Sequence, residues 1–376
     1  MPDIKRGVSF YSYQQTQFFK QLDLEGQIRE ITQNLYGADG FEILDEMSLP
    51  KYPNPTDEFI SKWYSWLDKY KAVPVTMDVF MDVLQFRDHV MSYHECAERL
   101  IGDIRLAKKL GFQNVRTLAV VPIEILVEAV PVAEELNIPI GKEIHNPISL
   151  SGQYVNEIIE YVEKTRTKHL GIVPDMGVFQ YRPSEVALDW MIRHGASRES
   201  TELLTEVCLD IRAKKGPLAN IDFSLVTAGN IEVSFHQFLK SGEADDYFLD
   251  GFKAIVDITK KQISNPAQMD YEVVFQCLLY SRTKPEDMIR LIKYIVSIHG
   301  KFLNMSEISG KPGQYEDKSI DYEGPIEALK KAGYKGYINS EYEGQRRFQD
   351  LPFDQLADEV DQVRKHQEML KRLIEA

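Results

Sequence analysis

Residues 139–176 read PIGKEIHNPISLSGQYVNEIIEYVEKTRTKHLGIVPDM, and this stretch decides the fold. PIGKEIH is a short apolar run that ends in charge, and GIVPDM, beginning 32 residues later, is another. The polar segment between them carries amphipathic helical spacing, so the whole reads strand–helix–strand. The unit repeats outward along the chain. Further candidate strands begin near Gly7 (GVSFYS), Phe41 (FEIL), Val73 (VPVTMD), Asn114 (NVRTLAV), Ile295 (IVSIHGK) and Tyr337 (YINSEYE). Successive starts lie 34, 32, 41, 25, 32, 124 and 42 residues apart, which apart from one interval is the pace of a βα unit.

Helix boundaries are written in the same residues. KKLGF at 108–112 and KKAGYKGY at 330–337 place lysines in a last turn with glycine just beyond, the chemistry of a C-cap that feeds a strand. In NPTDEFISKWYSWLDKY, at 54–70, Thr56 is the expected N-cap with acidic residues behind it. The aromatic residues of that segment fall at helical spacing, as outer-helix packing would place them. Eight βα units predict a (β/α)8 TIM barrel, an α/β fold with a parallel sheet. An open doubly wound sheet is the alternative, but no GxGxxG follows the first strand.

The 124-residue interval predicts a helical insertion after strand six, over about 180–290, within a single domain spanning 1–376. Helices are expected at 184–194, 199–212, 245–263 and 271–280, with loops such as LANIDFSLVTAGNIEVS at 218–234. Cut to the 32-residue pace, the chain would have 284 residues, close to the roughly 250 of a plain barrel.

Composition narrows the class of function. Of 376 residues, 43% are hydrophobic and 27% charged, which is enough apolar content for a large core. A net charge of −14 repels phosphate backbones and anionic membrane surfaces, so no nucleic-acid or membrane partner is expected. The three cysteines have no CxxC spacing, which disfavours a disulfide framework or a thiolate zinc site. MPDIKRGVSFYSYQ turns polar within a few residues, and no apolar run approaches the roughly 20 residues of a membrane span. A soluble cytoplasmic protein is expected.

In such a barrel the functional side chains lie at the C-terminal strand ends. Those ends carry Glu42, Asp78, Glu143 with His145, Asp175, His299 with Lys301, and Glu341 with Glu343. Ends five to eight are neighbours, so three carboxylates and an imidazole can converge as a hard O/N donor set for Mn²⁺, Zn²⁺, Co²⁺ or Mg²⁺. His145 follows Glu143 by two and shares its side of the strand, either as a general base beside the metal or as a supporting group. Lys301 could polarise a substrate carbonyl or hydroxyl, and Glu343 and Asp78 are further substrate-binding candidates. Either Glu341 or Glu343 could be the ligand of strand eight. His89, His94, His169, His194 and His236 fall on helices or loops and are expected to be structural. Arg346 and Arg347, after strand eight, could hold a phosphate.

KEIHNP at 142–147, VPDMG at 173–177, IHGK at 298–301 and INSEYEG at 338–344 resemble the Glu, Asp, His and Glu motifs of the xylose-isomerase-like barrels, the sugar (phosphate) isomerases and epimerases. The resemblance covers essentially the whole chain and implies Glu143, Asp175, His299 and Glu341 as ligands of one divalent metal. Within that group, GVSFYSYQ, the EIH triplet and the long insertion are similar to the catalytic α subunit of bacterial C-glycoside deglycosidases. This implies a Mn²⁺-dependent lyase acting on 3-oxo C-glucosides, His145 as base, and a small β subunit in a hetero-oligomer. A typical epimerase pairs two glutamates across the metal and has an acid after its HxK, whereas here His145 follows Glu143 and Phe302 follows Lys301. A sugar isomerase or ketose 3-epimerase is the alternative activity. A phosphodiesterase of the same superfamily would need further strand-end histidines and a basic face, and neither is present in the sequence.

Overall fold

The computed structural model describes residues 4–223 and 231–376. Eight parallel strands form its barrel: β1 Lys5–Ser9, β2 Gly40–Leu44, β3 Val73–Val79, β4 Asn114–Thr117, β5 Ile140–Ile144, β6 Leu170–Pro174, β7 Ile298–Phe302 and, after a small β8–β9 hairpin (Met305–Glu307, Tyr315–Asp317), β10 Tyr337–Tyr342. Their order is β6-β5-β4-β3-β2-β1-β10-β7. Two isolated parallel bridges, Ile172 to Ile295 and Asp175 to His299, complete the nearly closed (β/α)8 TIM barrel between β6 and β7.

The expected boundary chemistry is present. Ser92 and Glu95 form a capping box on helix 93–110, and Gly111 ends that helix in the left-handed region, at φ 83°. A residue with a Cβ pays more for that conformation, which is why glycine stands there. Thr56 accepts the Phe59 N–H at the head of helix 57–70, whose Trp63 and Trp66 are buried. The strand expected from Ile295 begins at Ile298, because residues 295–297 reach across to β6. His169 lies beyond its helix, which ends at Thr165, and His89 lies in the loop before helix 93–110.

Between β6 and β7 run helices 185–193, 198–212, 231–241, 246–262 and 268–275, then a short helix 286–291 that packs on helix 323–332. The expected loop 218–234 is partly helical. IEVS opens helix 231–241, where Ile231, Phe235 and Phe238 sit at i, i+4 and i+7 and are buried. Residues 224–230 of that stretch lie outside the described residues. The buried side chains of the first five of these helices form their own apolar cluster, while Met288 and Leu291 of helix 286–291 join that of the barrel. Among the described residues no helix is long and apolar enough to cross a membrane.

Candidate metal centre

Strand alternation sorts the site. On β5, Lys142 faces the helix layer, where its Nζ stands 4.1 Å over the Tyr154 ring. Glu143 and the following His145 face the barrel interior. Glu143, Asp175, His299 and Glu341 come from four neighbouring strand ends, and all are buried. One ligand atom from each lies within 4.8 Å of the others. His299 Nδ1 is 3.1 Å from Glu143 Oε1 and 3.4 Å from Glu341 Oε2. Glu343 stands outside this group, with Oε2 3.1 Å from Lys301 Nζ. The same ammonium lies 3.1 Å from Asp175 Oδ2 and touches His145 Nε2.

Burial would raise the Glu341 carboxyl, but His299 and Lys301 outweigh it and hold it at about 2. Glu143 is likewise carried well below the usual carboxylate range, burial being overridden by Arg116 and His299. Burial pushes Asp175 up to about 6 against the pull of Lys301. All three are therefore mainly ionised at neutral pH. The donor set fits a divalent cation: three carboxylates and an imidazole are hard and borderline ligands, and Glu341 Oε2 is buried with no hydrogen-bond partner. The three cysteines are buried and free, away from this centre.

Gly177 belongs to the site as well. Its N–H donates to Asp175 Oδ1 at 2.5 Å, and a Cβ there would fall 2.7 Å from that oxygen and 2.8 Å from Lys301 Cδ. Arg116 is a site residue that sequence reading missed. Its Nη2 donates to Glu143 Oε1 at 2.9 Å, and its Nε lies 3.5 Å from Asp78 Oδ1. The available signal was a lone arginine inside the β-branched run NVRTLAV. Asp78 faces Arg116 and His299 below the cavity rather than lining it.

Above the centre lies a cavity of about 560 Å³, within the range of small-molecule sites. His145, Lys301, Gln180 and Glu343 line its barrel side, and Met191, Ile231, Val233, Leu279 and Tyr280 line it from the insertion. Arg347 also lines it, 4.6 Å over the Trp190 ring, while Arg346 pairs with Glu343 and stacks on Tyr11. The histidines expected to be structural have partners of their own. His89 and His94 bind glutamates on the surface, His169 bonds Asn137, His194 stacks on Trp190, and His236 pairs with Glu272.

Fold and site together define a TIM barrel with a buried carboxylate–histidine cluster at its C-terminal strand ends. Within that class the chain is similar along nearly its full length to curated deglycosidase α subunits. It is 26% identical over 352 residues to the 3'-dehydrocarminate deglycosidase alpha subunit of a Microbacterium species, covering 93% of this chain and 92% of the relative. It is 23% identical over 336 residues to a C-glycoside deglycosidase alpha subunit of Arthrobacter globiformis, covering 89% and 83%. No family model matches the chain. Among solved structures, L-ribulose 3-epimerase aligns with a TM-score of 0.49 at 9% identity, covering 99% of this chain and 95% of that one. The zinc-containing IOLI protein aligns with a TM-score of 0.49 at 13% identity, covering 99% and 98%.

Proposed function

We propose that this chain is the catalytic subunit of a divalent-metal-dependent C-glycoside deglycosidase, a carbon–carbon lyase acting on 3-oxo C-glucosides with a small β-subunit partner. The observation that carries the reading is the two-sided cavity. A polar floor suited to a sugar meets a wall from the insertion in which Met191, Ile231, Val233, Leu279 and Tyr280 outnumber the polar Ser184, Glu232 and Gln276, which suits an aromatic aglycone beside the sugar.

Glu143, Asp175, His299 and Glu341 would hold the metal, with Mn²⁺ the first choice and Zn²⁺, Co²⁺ or Mg²⁺ the alternatives. When bound, the ion supplies Lewis-acid stabilisation of the charge that develops at the sugar oxygens. A C–C bond offers no oxygen for an acid to protonate, so the two-carboxylate scheme of ordinary glycosidases is insufficient. A ketone at C3 makes the C2 proton acidic, and His145 takes it. The electrons of the C2–H bond form a C1=C2 double bond as the C1–aglycone bond breaks; the aglycone carbon leaves with the pair of that broken bond and takes up the proton that His145 removed, which restores the base. Burial works against the charge of Lys301, but Asp175 and Glu343 outweigh it, and the residue remains a cation. Lys301 and Glu343 are thereby equipped to bind the sugar's carbonyl and hydroxyl oxygens. We place the enzyme in the reducing cytoplasm, in accord with its free cysteines.

Metal analysis of the purified protein, followed by incubation with a 3-oxo C-glucoside with and without a co-expressed partner, tests the reading. Substituting His145→Ala should lower kcat by about 10²–10⁴, the usual worth of a general base, with metal content unchanged. Loss of metal in that variant would make His145 a support of the centre rather than the base. Interconversion of free sugars without action on 3-oxo C-glucosides would assign an isomerase or epimerase instead.

A further inference from the structure

We propose that Arg347 sets the specificity of the cavity by binding one singly charged acidic group, a carboxylate or an ionised phenol, on the aromatic aglycone; the inference rests on the deglycosidase reading above. The adjacent arginines after β10 have different surroundings. Arg346 Nη2 lies 3.7 Å from Glu343 Oε1, and its guanidinium stacks on Tyr11. Arg347 lines the cavity, with its Cζ 4.6 Å over the ring of Trp190. Trp190 belongs to helix 185–193, whose Ala187 and Met191 line the same cavity, so this cation stands on the aglycone side. The acids that could neutralise it are engaged elsewhere. Asp350 is held by Arg193 through two contacts of 2.9 and 3.0 Å, and Glu343 by Lys301 at 3.1 Å. Among the described residues the Arg347 guanidinium has neither an ion-pair nor a hydrogen-bond partner.

A guanidinium is always charged and carries its donors in a planar fork. Here the indole covers one face of the fork and leaves the N–H groups to the cavity. The support is itself anchored. The His194 ring stacks on Trp190 at 4.2 Å, and the Arg193 guanidinium donates to the Arg347 carbonyl oxygen. A half-buried cation without a counter-ion is attracted to an anion more strongly than one on the open surface. A carboxylate matches the fork with two parallel hydrogen bonds, and a phenolate takes one. A phosphate is a poorer match, since its charge of nearly −2 and its three acceptor oxygens call for several donors. The other lysine of the cavity is already held by Asp175 and Glu343, and Glu232, exposed at the head of helix 231–241, lines the cavity with a negative charge. One charge on an aromatic frame therefore suits this wall.

The test is calorimetric titration of the full chain, as wild type, Arg347→Met and Arg347→Lys, with 2-naphthoate and with its uncharged isostere 2-naphthamide. The wild type should prefer the acid by about 10–100-fold, the worth of a hydrogen-bonded charge pair. Arg347→Met should erase that preference, and Arg347→Lys should keep part of it, since a lysine retains the charge and loses the fork. Should Arg347→Met fail to fold, the wild type and Arg347→Lys still decide the matter. The same preference should appear in kcat/KM for two 3-oxo C-glucosides that differ only in a carboxylate or carboxamide on the aglycone. Equal binding of acid and amide by the wild type, or a preference that survives in Arg347→Met, overturns the role of Arg347, and turnover then decides the deglycosidase reading on its own. Inorganic phosphate that displaces naphthoate at matching affinity overturns the choice of a singly charged group. No turnover of either glucoside, with naphthoate still bound through Arg347, overturns the deglycosidase reading and leaves the anion site standing.

Discussion

Lys142 and Glu143 are chain neighbours with opposite fates, and the pleat of β5 is the reason. Glu143 enters the donor set, while Lys142 is buried against the helix layer, where its Nζ finds the Tyr154 ring but no hydrogen-bond acceptor. Burial pushes the Lys142 ammonium down to about 8, with Glu157 and Glu124 pulling the other way. Between that value and the ordinary lysine range the unfolded chain holds a proton that the folded one has lost, so stability rises with pH across the window. Below about pH 8 the cost of burying the cation is fully present. Lys142→Met should therefore stabilise the protein at pH 7, by about 1–3 kcal/mol once the lost cation–π contact is discounted. The gain should shrink towards pH 10. Urea unfolding at the two pH values measures it, and a gain that grew with pH would contradict the account. At this scale the sequence was informative about Glu143, Asp175, His299 and Glu341, since a charged side chain at a strand exit is unusual enough to notice. It was silent on what Arg116 and Glu42 touch, because their partners, Glu143 and His299, stand on other strands.

Among the elements, β6 and β7 make the weakest join of the barrel, bridged only at Ile172–Ile295 and Asp175–His299. Gly171 makes this join possible. A Cβ there would fall 2.3 Å from the Tyr294 carbonyl oxygen and 2.8 Å from Val296 Cγ2, and the nearest of these atoms is backbone that cannot swing aside. Gly171→Ala should lower the unfolding free energy by about 1–3 kcal/mol, as overpacking does. The change should appear as a lower denaturation midpoint at unchanged slope, and an unaltered midpoint would show that the closure is slack. Strands and outer helices were legible because each has a local period and a local cap. Helix 231–241 was not read, although Asn230 and Glu232 offered a start signal, because its apolar stripe packs on the insertion's own cluster rather than on the barrel.

The whole molecule is a barrel that presents chemistry on one face and a helical insertion that walls part of that face. Leu279 is the simplest probe of the division, as it lines the cavity and is only partly buried in the insertion's cluster. Leu279→Ala should raise KM for a 3-oxo C-glucoside with an aromatic aglycone by about 5–30-fold, the worth of about 1–2 kcal/mol of apolar contact. It should leave kcat and metal content near those of the wild type. For a substrate with a methyl group in place of the aglycone the KM should not move, and an equal loss with both substrates would remove the apolar wall from recognition. The barrel itself was determined by the sequence, because strand runs, helix caps and their spacing are properties of neighbouring residues, and so was the line of acids and imidazoles at the strand exits. Tertiary structure alone decided which of them meet. Alternation gives a side chain its face, but only closure of the sheet sets Glu42 against His299 and Arg116 against Glu143, and only packing of the insertion over the mouth turns a row of strand ends into a cavity.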